Sequence, residues 1–214
     1  MDKLEIKNLL GKENPIIFEI GANDGGDTFG FLRTFRDIKL YCFEPDRRAI
    51  SKFKTRINKS DIRCKLYEVA IGNINGTVDF YESSGNPGNG LEHYGDWDKS
   101  GSIKKPKNHI TQHEWCKFNN VVKVDVIKLD TFIENNDINF IDFIWADVQG
   151  AEEDMILGGL DTLNSKVKYL YTEVDYDESY EGAATLDRIL ELLPNFEIAQ
   201  QFECDVLLIN KKFK

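Results

Sequence analysis

A chain of 214 residues with 41% hydrophobic content is long enough to bury a sizeable core, and one domain spanning residues 1–214 is expected. The formal charge of -10, from 37 acidic against 27 basic residues, argues against a protein built to neutralise nucleic-acid phosphates or an anionic membrane surface. No apolar run approaches the roughly 18 residues that span a bilayer, and the N-terminal MDKLEIKNLLGKEN lacks the apolar core of a signal peptide, so a cytoplasmic location is expected.

Strand-like runs of β-branched and aromatic residues alternate with segments of helical period, the pattern of an α/β sheet with crossover helices. PIIFEI (15–20) is the first predicted strand, followed by a short helix through Phe29, Leu32 and Phe35 and a second strand, IKLYCFE (38–44). Asp46 is placed to cap a helix whose Ala49, Ile50, Phe53 and Ile57 share one face. KLYEVAI (65–71) reads as a third strand, and GNINGT as a tight turn joining it to TVDFYE (77–82) in a hairpin-like extension.

Residues 83–120 are irregular and rich in Gly, Asn, Pro and Lys, yet carry Tyr94, Trp97, Trp115 and all three histidines. A loop of that length within a compact domain is functional or disordered, and its aromatics weigh against disorder. The four lysines between Lys99 and Lys107 read as a solvated loop. Beyond it come VVKVDVIKL (121–129), a short helix from Asp130, and FIDFIWADV (140–148), apolar enough for a central strand. One helix is expected to align Met155, Ile156, Leu160 and Leu163 despite Gly158 and Gly159. VKYLYTEV (167–174), a helix stopping at Pro194, and a hairpin of FEIAQQF and DVLLIN complete the chain. Cys42, Cys64, Cys116 and Cys204 form no Cys-x-x-Cys pair, so neither a zinc site nor a redox dithiol is suggested.

The stretch FEIGANDGGDTFGF (18–31) runs a strand through a glycine turn into a helix, a geometry that can serve a dinucleotide pyrophosphate. The match is poor, because Asn23 stands where the middle glycine belongs, and Glu19, Asp24 and Asp27 would repel phosphates. Those carboxylates suit a ligand that is cationic near the turn, and S-adenosylmethionine, with its ammonium and sulfonium and no phosphate, fits the acid-x-Gly-x-x-x-Gly spacing from Glu19 through Gly21 to Gly25. Glu44, at the end of the second strand, stands where an acid accepts ribose hydroxyls, a feature dinucleotide-binding proteins share. Singly, these residues are adequately read as solvated strand ends and turn geometry.

In WADVQGAEEDMILGG, Asp147 ends the predicted central strand, so Asp147 and Gln149 should face the same crevice as Glu19 and Glu44. Asp147 as a helix cap and Glu152 as a favourable first-turn charge are the structural alternatives.

The series FEIGANDGGDT, CFEPD, EVAIGNINGTVDFY, KLDTF, FIDFIWADVQGAEEDMILGGL and YLYTEV resembles, in order and spacing, the FkbM family of S-adenosylmethionine-dependent methyltransferases, from about Ile16 to about Asn210. The resemblance implies a Rossmann-like class I α/β fold, a seven-stranded mostly parallel sheet with an antiparallel last strand and helices on both faces. It also implies O-methylation of sugars and other hydroxylated metabolites. It assigns Glu19, Gly21, Ala22, Asn23, Gly25 and Thr28 to the cofactor's methionine side, Glu44 and Pro45 to the ribose, Ala70 to the adenine, and Asp147 to the methyl-transfer centre. Many relatives have Glu where this chain has Gln149, whose neutral amide can orient an acceptor and cannot take its proton.

A sugar hydroxyl is a poor nucleophile at neutral pH, so a base or a metal is expected. Asp147 is the first candidate base and His113 the second, with His93 and His109 in the same loop; Glu173 is a partner for Asp147, and the two could hold a divalent cation such as Mg2+. Trp97, Trp115, Tyr176 and Tyr180 can stack on a sugar ring or anchor the loop, and Asp98, Ser100, Ser102, Gln149 and Glu152 supply hydrogen bonds to a small-molecule or glycan acceptor. An NAD(P)-dependent oxidoreductase and a non-catalytic cofactor-binding module are the alternatives. The oligomeric state is not encoded in these patterns.

Overall fold

The computed structural model describes residues 1–88 and 96–214; His93 and Tyr94 lie outside the described residues. The strands are β1 (Ile16–Ile20), β2 (Lys39–Phe43), β3 (Cys64–Tyr67), β4 (Ala70–Ile71), β5 (Gly76–Ser84), β6 (Lys117–Ile127), β7 (Ile141–Ala146), β8 (Val167–Glu173), β9 (Phe196–Gln201) and β10 (Asp205–Asn210). The α-helices are α1 (Lys3–Leu10), α2 (Gly26–Thr34), α3 (Arg47–Arg56), α4 (His109–Gln112), α5 (Leu129–Asn135), α6 (Glu152–Leu157), α7 (Leu160–Lys166) and α8 (Leu186–Leu192).

Seven strands form the main sheet in the order β3-β2-β1-β7-β8-β10-β9, with β10 antiparallel to both of its neighbours and the other pairings parallel. Alternation along the strands feeds two cores, as the two-residue period requires. Phe18, Ile20, Ile144 and Leu170 pack with α5, α6, α7 and α8 on one face. Ile17, Leu40, Cys42, Phe143 and Tyr169 pack with α1, α2 and α3 on the other. The strand order reverses between β1 and β7, which is where ligands bind in open α/β sheets.

Three elements depart from the sequence expectation. KLYEVAI is not one strand: β3 stays at the edge of the main sheet, while β4 leaves it to pair with β6. The hairpin from 65–71 to 77–82 is absent because β6 lies between β4 and β5, in a second sheet of order β4-β6-β5. The long non-local ladder from β5 to β6, with Val124 and Val126 buried, outweighs the local turn. The helix expected across Gly158 is two, because a side chain at 158 would put its Cβ 1.9 Å from the Gly72 carbonyl oxygen; the chain breaks there to pass against the β4–β5 turn. Helix α1 was not anticipated; Asp2 and Glu5 form its capping box.

Asn210 is fully buried, and its Nδ2 donates to the carbonyls of Leu163 (3.1 Å), Asn164 (3.3 Å) and Val167 (3.1 Å), tying the end of β10 to the α7–β8 junction. Asn210→Ala leaves buried carbonyls unpaired, at a cost of about 2 kcal/mol, and should lower the melting temperature by about 4–8 °C. A thermal melt indistinguishable from wild type would show that this side chain is not a staple.

Candidate active site

The β1–α2 turn spends its amides on the protein itself. Gly21 and Ala22 N–H donate to the Phe43 carbonyl (2.9 and 3.0 Å), Gly25 N–H to the Ala22 carbonyl (2.9 Å), Asn23 N–H to Glu44 Oε2 (2.8 Å) and Gly26 N–H to Asp24 Oδ1 (3.0 Å). Two protein carboxylates thus take donors that a phosphate-binding turn would aim at its ligand. Asn23 adopts φ +44° to make this geometry, a left-handed value asparagine tolerates. Its buried side-chain Oδ1 has no protein partner, while Nδ2 donates to the Asp98 carbonyl (3.1 Å).

Strand parity separates the two acids of the predicted cofactor pattern. Glu44 lines the cleft, and its other oxygen accepts Asp46 N–H (2.8 Å); burial pushes its pKa up to about 8 against the pull of the two amides. Glu19 lies on the opposite face of β1 from Ile20, is 1% exposed, and does not line the cleft. It accepts a hydrogen bond from Thr28 Oγ1 (2.6 Å) and from Cys42 Sγ (3.4 Å), and burial raises it to about 8. Glu19 and Thr28 therefore brace the turn from behind.

The second turn, after β7, is pressed against the first. Gly21 has φ +88°, and a Cβ there would sit 1.8 Å from the Asp147 carbonyl oxygen, so only glycine lets β1 and β7 end side by side. Asp147 opens into the cleft, yet protein walls surround it, and this desolvation raises its carboxyl above the usual range; Asp205 and Asp27 push the same way. Gln149, at φ +52°, donates its Nε2 to Asp147 Oδ1 (2.7 Å) and Glu173 Oε2 (3.4 Å). Burial next to Asp147 and Glu152 drives Glu173 to about 10, and burial holds Glu152 near 7.

The cleft joins these turns and has a volume of about 270 Å³. Of the residues expected at a site, Gly21, Ala22, Asn23, Glu44, Pro45, Ala70, Asp98, Ser102, Asp147 and Gln149 line it, Asp98 with its carboxylate paired to Lys52 at 2.7 Å. Gly25, Thr28, Trp97, Ser100, Glu152, Glu173 and Tyr180 stand behind it. Trp97 donates Nε1 to Ser100 Oγ (2.9 Å) and meets Trp115 edge to face, so these two rings anchor the irregular segment expected at about 83–120, an insert between β5 and β6. Tyr180 is 3% exposed, leaving no ring face for a sugar, whereas Tyr176 is 59% exposed. His113 is exposed, its ring against His109 and Trp115 and away from the cleft lining. His109 is buried, which lowers its pKa to about 4. Phe80, Lys99, Ile103 and Val148 also line the cleft and were not picked out; the in-out alternation of TVDFYE was the available signal for Phe80.

The pairing of Asp147 and Glu173 around a divalent cation does not fit this geometry. The Gln149 amide occupies the bridging position, and among the described residues no group of three or more His, Cys, Asp or Glu is placed to hold a metal. S-adenosylmethionine does fit. Phe43, Val69, Ala70, Ile71, Phe80 and Ile103 make an apolar slot of a kind that could take an adenine, and Glu44 and the orphan Asn23 Oδ1 are acceptors for hydroxyls; Asp24 and Asp27 also line the cleft, each already paired with a protein cation, Arg56 at 2.8 Å and Lys3 at 2.8 Å.

Fold and cleft together define a Rossmann-like methyltransferase dependent on S-adenosylmethionine. The Methyltransferase FkbM domain model matches residues 19–204, and the chain belongs to that family. The 2-O-methyltransferase NoeI of Sinorhizobium fredii (strain NBRC 101917 / NGR234) is 44% identical over 212 residues, 97% of this chain and 84% of that protein. Among solved structures, an S-adenosylmethionine-dependent methyltransferase from Aquifex aeolicus superposes with a TM-score of 0.51 at 10% identity, over 98% of this chain and 89% of that one, a likeness of fold. The oxidoreductase alternative gives way to this assignment. Among the described residues no helix is long and apolar enough to cross a membrane.

The buried Glu19 sets a pH dependence. Its native pKa lies above the unfolded value, so between about pH 4.5 and 8 the native state holds a proton that the unfolded chain has lost, and stability falls as pH rises through that window. The melting temperature should drop between pH 6 and 8.5, and drop less in Glu19→Gln, which keeps an acceptor for Thr28. An equal drop in both proteins would assign the loss to other groups.

Proposed function

We propose that this chain transfers the methyl group of S-adenosylmethionine to a hydroxyl of a sugar, glycan or glycosylated metabolite, with Asp147 as general base. The observation that carries this reading is the Asp147 carboxyl, open to the cleft at the topological switch point and raised toward the working pH by its surroundings. The kinship with a 2-O-methyltransferase supports oxygen as the acceptor atom.

Bound S-adenosylmethionine would supply an electrophilic methyl group on a sulfonium and leave as neutral S-adenosylhomocysteine. Asn23 and Glu44 would hold the ribose side, and the slot around Ala70 the adenine. Asp147 keeps Oδ1 on the Gln149 amide, which leaves Oδ2 to receive the acceptor's hydroxyl proton as its oxygen is methylated. The exposed Tyr176 offers a ring to stack on a sugar. Alignment supplies much of the rate in such a displacement, and the base supplies the rest.

The test is transfer of labelled methyl from S-adenosylmethionine to a panel of sugars and glycosides. Asp147→Asn should lower kcat by about 10²–10⁴-fold while S-adenosylhomocysteine still raises the melting temperature. Full activity in that variant would remove Asp147 as base. A wild-type protein that binds S-adenosylhomocysteine yet methylates no sugar hydroxyl would overturn the acceptor class.

A further inference from the structure

Tyr180 is buried beneath the DVQGAE turn, and its hydroxyl lies 2.8 Å from the Ser100 carbonyl and 3.1 Å from Gln149 Oε1. On the far side of the same amide, Gln149 Nε2 sits 2.7 Å from Asp147 Oδ1. An amide between two such neighbours has a single sensible orientation: its nitrogen must face the carboxylate, and its oxygen must then face a donor. The Tyr180 hydroxyl is that donor, its single proton shared in a three-centre bond between Gln149 Oε1 and the nearer Ser100 carbonyl. Its ring cannot swing away, since it is packed against His109 (5.4 Å between centroids) and Phe118 (6.3 Å), and a Cβ on Gly150 would come 2.6 Å from its own Cβ.

We infer that Tyr180 is a positioning residue for Asp147, acting through Gln149: the phenol locks the amide, and the amide locks the carboxylate with Oδ2 turned to the cleft. The inference rests on Asp147 being the base proposed above. It also changes the role of Tyr180 from a ring that stacks on substrate to a fixed hydrogen-bond donor. Because the same hydroxyl bonds Ser100, it joins the insert to the base, so that the insert's seating and the carboxylate's orientation are set at one atom. Burial raises the phenol's pKa, which keeps it a donor at neutral and mildly alkaline pH.

The readout is the titration of the Asp147 carboxyl, followed by carboxyl carbon NMR on protein saturated with S-adenosylhomocysteine and assigned by its loss in Asp147→Asn. The other groups that act on Asp147 are Asp205 on β10, Asp27 on α2, Lys99 in the insert, Glu152 on α6 and Glu173 on β8, and none is altered by the variants. Tyr180→Phe keeps the ring and deletes the donor, and should raise the Asp147 pKa by about half a unit to one unit, the size expected for loosening one hydrogen bond to a carboxylate. Gln149→Ala should raise it by at least as much, and adding Tyr180→Phe to Gln149→Ala should change nothing further. An unchanged titration in either single variant overturns the inference, and so do shifts that add in the double variant. The measurement needs no acceptor, so failure to methylate sugars would count against the proposed reaction and leave this coupling standing.

Discussion

Residue 21 has no side chain, and the rest of the site depends on that. The space a Cβ would need holds the Asp147 carbonyl, and the Asp147 N–H in turn donates to the Ile20 carbonyl at 2.9 Å. Two turns from distant parts of the sequence are thereby pressed into one wall. The β1–α2 turn brings Asn23 and Asp24 and is bonded to Glu44 at the end of β2, and the β7–α6 turn brings Asp147 and Gln149. A methyl donor has to be aligned with its acceptor to within a fraction of an ångström for such a displacement, and a shared backbone contact holds that tolerance better than any pair of side chains.

Carboxylates then decide what the wall can hold. Asp24 and Glu44 saturate amides of the glycine turn, which removes the anion hole a dinucleotide needs. On the acceptor side, Asp147, Glu152 and Glu173 crowd together with their pKa values raised, and the neutral Gln149 amide separates Asp147 from Glu173 where a metal would otherwise bridge them. Crowded acids of this kind hold on to protons, and the one that opens to the cleft is left poised to accept another.

The central strands of the main sheet were legible in the sequence because they are apolar runs with both faces covered, as FIDFIWADV shows, and the Asp46 cap was legible from its position before an amphipathic run. The partner of β5 was not legible, because β6 lies some forty residues away and local turn composition favoured a hairpin. Glu19 was placed in the crevice by motif spacing, although alternation along β1 already set it on the opposite face from Ile20. Asp2 and Glu5 stand at capping-box spacing, a signal for α1 that was present in the sequence and went unread. Nothing in residue type alone told that Trp97 and Tyr180 would be used up inside the protein, since burial of a ring in an irregular segment is a tertiary outcome.

The insert is fastened differently from the cofactor side. Lys104 pairs with Asp154 (2.8 Å), Lys105 with Glu181 (3.1 Å), and Lys107 with Glu178, the last two pairs well exposed, whereas the glycine turn is held by buried amide bonds. Exposed ion pairs are worth little, about 0–1 kcal/mol, and weaken further as salt is added, whereas backbone amide bonds are insensitive to it. Ionic strength therefore acts unevenly: added salt weakens the exposed pairs of Lys105 and Lys107 more than the amide bonds of the glycine turn, so the lysine-rich stretch that looked like a solvated loop is the part of the fold whose seating depends on the medium.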